Sequence, residues 1–250
     1  MITQALILAG GLGTRLRSIV NDRPKAMANL GEKPFLEYQI EFLRRFGIEF
    51  VVLCVGYLHE QIKEYFGDGK KNGVQIAYAI EQELLGTGGA IKNAKALLND
   101  SFLALNGDSF LDLDLGEFAR FHRASCEENQ ACLGSLALAE IEEKGSYGAI
   151  TVDDSNRILS FKEKPTEKND SKLISAGVYI LENQALNFIP PKQTVSLEKE
   201  TFPALLLSGY SLYGFRSKGF FVDIGTPQGY RIFQDYIGEK DYGYQEQGAA

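Results

Sequence analysis

The stretch Ala5-Leu6-Ile7-Leu8-Ala9-Gly10-Gly11-Leu12-Gly13-Thr14-Arg15-Leu16, with Pro24-Lys25 downstream, decides how this chain is read. An apolar strand delivers the backbone to a glycine cluster, and a cation closes the cluster. Without Cβ atoms, main-chain N–H groups can approach a phosphate chain closely. Arg15 adds a planar fork of donors for an oxyanion, and Lys25 a second, mobile positive charge. The pattern is that of a cradle for nucleotide phosphates. It is not a Walker loop, which needs Gly-Lys-Ser/Thr where this chain has Gly13-Thr14-Arg15. Nor is it a dinucleotide fingerprint, because Leu16 stands where G-x-G-x-x-G, counted from Gly11, wants a third small residue.

The 250 residues suffice for one large α/β domain or two small ones, and 44% hydrophobic with 24% charged residues is ordinary for a globular protein. A formal charge of −7 opposes a nucleic-acid-binding surface, which needs clustered Lys and Arg, but not a small phosphate ligand. The three cysteines, Cys54, Cys126 and Cys132, lack zinc-like spacing, and Cys54 lies in an apolar strand run as a core residue would. The chain enters a strand at once, without the pattern of a signal peptide, and no segment reaches the roughly 18 apolar residues of a membrane span. The expectation is a soluble, reduced, cytoplasmic enzyme of small metabolites.

Strand and helix patterns alternate through the first half, as in parallel βαβ units. Strands are expected at Gln4–Ala9, Glu49–Val55, Val74–Ile80 and Ser101–Asn106, and helices at Pro34–Phe46, Leu58–Phe66 and Gly88–Leu98. Right-handed crossovers then place helices on both faces of one sheet. The second half offers strands at Ala131–Ala139, Ala176–Leu181, Leu212–Arg216 and Phe220–Ile224. It also offers a hairpin of Ala149–Val152 with Arg157–Lys162, and a closing helix over Gln228–Ile237. No linker or repeat separates the halves, so residues 1–238 read as one domain with a frayed tail at 239–250.

In an open α/β sheet, ligands bind outside the carboxyl ends of the strands, and three turns here fall at such ends. The first is the Gly10–Arg15 loop. The second, Leu85-Gly86-Thr87-Gly88-Gly89-Ala90, opens a helix after the Val74–Ile80 strand; it suits an anion or the edge of a base, the other reading being a glycine-rich cap with no ligand. The third, Asn106-Gly107-Asp108-Ser109, places a carboxylate to hold a hard cation, or simply a strand-end turn. A second acid, Asp223, lies within the apolar Phe220–Ile224 segment, where an ionised carboxylate is costly unless paired, hydrogen-bonded or metal-bound. Asp108 and Asp223 together make a candidate Mg²⁺ site. Phe161-Lys162-Glu163-Lys164-Pro165 is either a solvated strand or a place for Lys164 to meet a sugar phosphate and Glu163 sugar hydroxyls. Gly148 and Gly177 would let a pyranose lie close to the backbone.

The order Gly-Gly-x-Gly-Thr-Arg, Pro-Lys, Gly-Thr-Gly-Gly-Ala, Asn-Gly-Asp, Glu-Lys-Pro, Ala-Gly-Val-Tyr and Val-Asp-Ile-Gly-Thr-Pro, from Leu8 to about Tyr230, resembles the sugar-1-phosphate nucleotidyltransferases. That resemblance implies a single Rossmann-like three-layer α/β domain with a mixed, mainly parallel central sheet, of the nucleotide-diphospho-sugar transferase type. Its nucleotide-binding half would cover about 1–110 and its sugar-binding half about 111–238. By resemblance, Asp108 and Asp223 hold Mg²⁺, Arg15 and Lys25 meet the triphosphate, and Lys164 meets the sugar phosphate. Leu8, Gly10, Gly11, Gly13, Thr14, Glu81, Gly86 and Thr87 would surround the nucleotide, and Gly148, Glu163 and Gly177 the sugar. One departure is Arg17-Ser18, where the family often has proline after Arg-Leu-x.

The implied reaction is attack by a sugar 1-phosphate oxygen on the α-phosphorus of a nucleoside triphosphate, expelling pyrophosphate. With a second phosphate pKa of about 6, the nucleophile is already anionic and needs no general base. This agrees with two histidines, His59 and His122, outside every motif. The overall pattern looks most like the D-glycero-α-D-manno-heptose 1-phosphate guanylyltransferases, which make GDP-heptose for surface polysaccharides. Glu81 could accept from guanine N1–H and its amino group, or from uracil N3–H, or face solvent. Uridylyl, thymidylyl or cytidylyl transfer to a hexose or amino-sugar 1-phosphate, and a non-catalytic nucleotide-sugar sensor, stay open as alternatives. The expected partners are the two substrates, with neither nucleic acid nor membrane; a homo-oligomer is compatible with the sequence but not indicated by it.

Overall fold

The computed structural model describes residues 2–11, 13, 16, 22–141, 147–162 and 171–246. In chain order the strands are β1 (Gln4–Leu8), β2 (Asn29–Leu30), β3 (Lys33–Pro34), β4 (Phe50–Val55), β5 (Gln75–Ile80), β6 (Ser101–Asn106) and β7 (Ser109–Leu111). They continue with β8 (Cys132–Glu140), β9 (Ala149–Val152), β10 (Ile158–Lys162), β11 (Leu173–Glu182), β12 (Ser211–Ser217) and β13 (Phe221–Asp223). The helices are α1 (Phe35–Arg45), α2 (His59–Phe66), α3 (Gly86–Asn93), α4 (Leu115–Glu128), α5 (Phe202–Leu207) and α6 (Pro227–Glu246).

Seven strands form one sheet in the order β12-β8-β11-β6-β1-β4-β5. All run parallel except β11, which is antiparallel to both β6 and β8. The sheet is therefore mixed and mainly parallel, and it continues without a break from one half of the chain to the other.

Each central strand buries both faces. Ala5, Ile7, Val51, Leu53, Leu103 and Leu105 belong to one apolar cluster, together with Phe35, Ile40, Phe66, Phe118 and Phe233 of the helices. The alternate residues Leu6, Val52, Cys54, Phe102 and Ala104 belong to a second, with Ala90, Ile91, Phe202 and Leu205. Alternation along a strand sends successive side chains to opposite faces, so a near-continuous apolar run is what a three-layer fold requires. α1, α2, α4 and α6 cover one face, and α3 and α5 the other.

Several elements go beyond or differ from the sequence expectation: β2, β3, β7 and α5 have no expected counterpart, and four others are instructive. α4 carries no expected counterpart: its buried stripe, Leu115, Phe118, His122 and Ser125, holds only two large apolar residues and gives a thin helical period. Its start was nevertheless written in the chain, since Asp114 caps it by accepting from the Glu117 N–H at 2.8 Å. The expected helix Gly88–Leu98 starts at Gly86, stops at Asn93, and resumes as a 3₁₀ turn over Lys95–Leu97. β13, expected as a strand without a partner named, lies outside the central sheet and pairs antiparallel with β7, so that Asp223 lies opposite Ser109. Finally, α6 runs to Glu246 and takes up most of the expected tail, where Glu, Lys and Gln favour helix and no proline stops it.

α6 fixes the β7–β13 ribbon beside the sheet. Phe233 packs on Phe35 and Phe110 with ring centroids 5.2 and 5.1 Å apart. Tyr236 stacks on Phe220 at 4.0 Å and donates its hydroxyl to Asp112 at 2.7 Å. The helix begins where Thr226 Oγ1 accepts from the Gly229 N–H at 3.0 Å, with Pro227 in the first turn. Thr226-Pro227 thus serves as a helix start that anchors the strand bearing Asp223.

Candidate active site

A cleft of about 500 Å³ opens at the carboxyl ends of β1 and β6 and reaches the start of α3. Of the residues expected around a nucleotide, Leu8, Gly10, Gly11, Gly13, Lys25, Glu81, Gly86, Thr87 and Asp108 all line it. Asn106, Gly107, Leu84 and Thr194 line it too, and were not singled out. Asn106 and Gly107 stood inside the Asn-Gly-Asp motif, whereas Thr194 comes from a distant segment that only the fold brings in. Thr14, Arg15, Glu163 and Lys164 lie outside the described residues.

Lys25 and Asp108 meet at one end of the cleft, and Asp223 lies on the adjoining β7–β13 ribbon rather than in the cleft lining. Pro24, extended at ψ 145°, leads into a 3₁₀ turn that begins with Lys25. The Lys25 stem packs against Gly13, whose φ of +60° is the left-handed region and whose missing Cβ would sit 2.8 Å from Lys25 Cβ. Lys25 Nζ pairs with Asp108 Oδ2 at 2.7 Å, with the lysine side chain only 10% exposed and the aspartate 37%. Asp108 sits in the turn between β6 and β7, and its carbonyl accepts from the Ile224 N–H at 2.9 Å. That bond ties the turn to the end of β13, where Asp223 Oδ1 accepts from the Gly225 N–H at 2.6 Å and Oδ2 from the Tyr147 hydroxyl at 3.4 Å. The two carboxylates, 115 residues apart in sequence, therefore occupy neighbouring strand ends.

The glycines divide by function. A Cβ on Gly10 would collide with Glu81 Oε1, so that glycine admits the carboxylate. Gly88 and Gly89 both donate to the Val195 carbonyl, at 2.8 and 3.3 Å, and Leu197 N–H donates to Thr87 Oγ1 at 2.9 Å. The N–H groups of the start of α3 at Gly88 and Gly89 are therefore spent on the 195–197 segment rather than presented to an anion. Gly86 and Thr87 remain on the cleft wall. Gly11, by contrast, is exposed with nothing within 4 Å of a would-be Cβ.

Gly148 and Gly177 do not line this cleft. Gly148 is exposed at the entrance to β9, and Gly177 is buried in an irregular stretch of β11 at φ +72°. A Cβ there would lie 2.6 Å from Ser109 Oγ and 2.7 Å from Asn106 Nδ2. Gly177→Ala is expected to cost about 2–4 kcal/mol, combining left-handed strain with overpacking. Gly11→Ala should leave the urea midpoint within about 0.5 kcal/mol of the parent and weaken nucleotide binding instead. Equal destabilisation by both substitutions in urea unfolding would refute this division.

Glu81 forms the opposite wall. Its Oε2 accepts from the Leu85 N–H at 3.2 Å, while burial, the larger influence, raises its pKa above the usual carboxylate range. Because the folded pKa is raised, the stability Glu81 contributes is complete below its unfolded pKa and lost as pH rises through the folded value. At the cleft floor, the buried Gln39 amide donates to the Asn106 carbonyl at 2.8 Å and the Ser109 carbonyl at 3.0 Å. The Asn106 side-chain Oδ1 is buried with no hydrogen-bond partner among the described residues. A buried acceptor left in this way is costly unless something else supplies a donor.

A family profile for nucleotidyl transferases matches residues 4–239, and the chain belongs to that family. It is 40% identical over 233 residues to the D-glycero-alpha-D-manno-heptose 1-phosphate guanylyltransferase of Campylobacter jejuni, covering 92% of this chain and 98% of that one. The enzyme of the same name from Aneurinibacillus thermoaerophilus is 39% identical over 232 residues, covering 92% and 96%. Among solved structures, HddC from Yersinia pseudotuberculosis superposes with a TM-score of 0.80 at 29% identity, over 94% of this chain and 100% of that chain. A complex of the same protein with GMP-PN superposes at 0.77. No helix among the described residues is long and apolar enough to cross a membrane.

Proposed function

We propose that this chain is a sugar-1-phosphate nucleotidyltransferase that moves GMP from GTP to D-glycero-α-D-manno-heptose 1-phosphate, releasing pyrophosphate and GDP-heptose. The observation that carries the specific reading is the 40% identity, over nearly the full length of both chains, to a guanylyltransferase of that substrate. The cleft supports the class: a glycine loop, a lysine and Asp108 meet at the carboxyl ends of parallel strands, where nucleotides bind in such sheets, and Asp223 is held on the ribbon beside them.

The chemistry asks little of a base and much of positioning. Two polyanions must meet, and charge must be stabilised as pyrophosphate departs. Lys25, and by family resemblance Arg15, face the triphosphate, and by the same resemblance Lys164 faces the sugar phosphate. Asp108 and Asp223 fit Mg²⁺: they are hard oxygen donors from adjacent strand ends, and Asp108 already draws a cation, the Lys25 ammonium, to 2.7 Å. When bound there, Mg²⁺ would screen phosphate charge. The protein's part is to hold both carboxylates through the Ile224–Asp108 and Gly225–Asp223 bonds.

Glu81 is the base-reading residue in this proposal, accepting from guanine N1–H and its amino group. Glu81→Gln is then expected to raise KM for GTP about 10- to 100-fold with little change in kcat, the worth of a charge-assisted hydrogen bond. The same substitution removes a desolvated charge, so its stability relative to the parent should increase as pH rises past the usual glutamate range. Unchanged GTP affinity would remove Glu81 from base reading, and a flat pH difference would contradict its burial. The direct test of function is pyrophosphate release over a grid of nucleoside triphosphates and sugar 1-phosphates with Mg²⁺. Release confined to GTP with the manno-heptose 1-phosphate is expected. Release with another pair would overturn the substrates, and tight nucleotide-sugar binding without turnover would favour the sensor.

A further inference from the structure

At the opposite end of the sheet from the cleft, α4 and two strands bring together four side chains that the transfer reaction does not use. His122 and Cys126 stand one helical turn apart on α4, which puts them on the same face. Cys132 opens β8, and Glu182 ends β11 where that strand pairs with Ser101 at the amino end of β6. Cys126 Sγ lies 3.7 Å from His122 Nε2 and 2.7 Å from Cys132 Sγ. His122 Nε2 lies 3.0 Å from Glu182 Oε1. One donor atom from each of His122, Cys126 and Cys132 falls within 4.8 Å of the others.

We infer that His122, Cys126, Cys132 and Glu182 form a binding site for a soft divalent cation of the Zn²⁺ type. Two thiolates, an imidazole and a carboxylate make a four-ligand set of the kind zinc takes, and a hard ion such as Mg²⁺ would not choose sulfur. A buried Ser135 hydroxyl lies 3.0 Å from His122 Nδ1. Accepting from Nδ1–H, it would fix the ring so that Nε2 faces the cation, the usual outer-shell arrangement of a ligating histidine.

Among the described residues, neither thiol has another close partner. The remaining sulfur contacts are long: 3.8 Å from Cys126 Sγ to His122 Nδ1, 4.0 Å from Cys126 Sγ to the Cys132 carbonyl and 3.8 Å from Cys132 Sγ to the Gly134 carbonyl. With Zn–S bonds of about 2.3 Å at tetrahedral angles, the two sulfurs must part by about 1 Å on binding. Cys126 has room for this, since it is half-buried and, with His122 and Glu182, lines a surface pocket of about 370 Å³ that gives the ion a way in.

The test is a Co²⁺ titration of the reduced, chelator-stripped full chain in excess Mg²⁺, followed by optical absorption, with Zn²⁺ added as competitor. The expected result is one Co²⁺ per chain with thiolate-to-cobalt charge-transfer absorption, displaced by Zn²⁺. Cys126→Ser should lose that absorption and bind at least tenfold more weakly, and Glu182→Gln, at a partly exposed position, should weaken binding about tenfold without touching a sulfur. Asp108→Asn should leave the absorption unchanged, which separates this site from the cleft. No uptake, uptake without thiolate absorption, or absorption that survives Cys126→Ser would overturn the inference. So would a Cys126–Cys132 disulfide, seen as a loss of two hydrogens in the intact mass, in a protein whose reduced form takes up no cobalt.

Discussion

Lys25→Ala is expected to lower kcat about 10²–10³-fold while the protein stays folded, the size of effect that follows loss of one preorganised electrostatic contact in an active site. The ammonium is held 2.7 Å from Asp108 in a side chain only 10% exposed, so its position is set before any ligand arrives. Removing it leaves Asp108 without this cation, but that carboxylate is 37% exposed, and water can solvate it at small cost. The effect should therefore appear in turnover rather than in the thermal midpoint. A variant that turns over at near the parental rate would sink the assignment, and one that unfolds would instead make the Lys25–Asp108 pair structural. Steady-state pyrophosphate release with a thermal melt distinguishes the three outcomes.

The second large effect belongs to Asp223. Asp223→Asn keeps the shape of the side chain, and the amide oxygen can still accept from the Gly225 N–H. What it removes is one negative charge from the pair proposed to hold Mg²⁺. A cation contributing several kcal/mol to the transition state corresponds to about 10³-fold in kcat, with the Mg²⁺ dependence displaced to higher concentration. Unchanged activity together with an unchanged Mg²⁺ requirement would exclude Asp223 as a ligand. The ribbon should survive the substitution, because β13 is anchored by its pairing with β7 and by the packing of α6 on Phe220 and Phe110.

Much of this site could be read along the chain because its parts are local. Gly10, Gly11, Gly13, Glu81 and Asp108 each sit in a loop after a strand, and Gly86 opens the helix that follows β5, so finding the strands found the residues. Some short motifs admit two physical uses that only the fold separates. Gly88 and Gly89 looked open to an anion, but both donate to the Val195 carbonyl, a partner more than 100 residues away that no local pattern names. Gly177, expected as an approach for a sugar, also has a packing reason to be glycine, since a Cβ there would meet Ser109 and Asn106. Helix α4 leaves little trace in the sequence because its buried face is polar at His122 and Ser125.

The sequence by itself determined the strands of the first half, the three-layer class, and the glycine loop with the residue chemistry around it. Those follow from apolar runs, glycine placement and residue chemistry, which act over a few neighbours. Only the tertiary structure decided which groups meet. It paired Lys25 with Asp108, set β13 on β7 outside the central sheet to bring Asp223 beside them, and gathered His122, Cys126, Cys132 and Glu182 at the other end, although the cysteine spacing alone pointed to no metal. The reason is that register, crossover and helix packing set these distances, and they depend on the whole core rather than on any one segment.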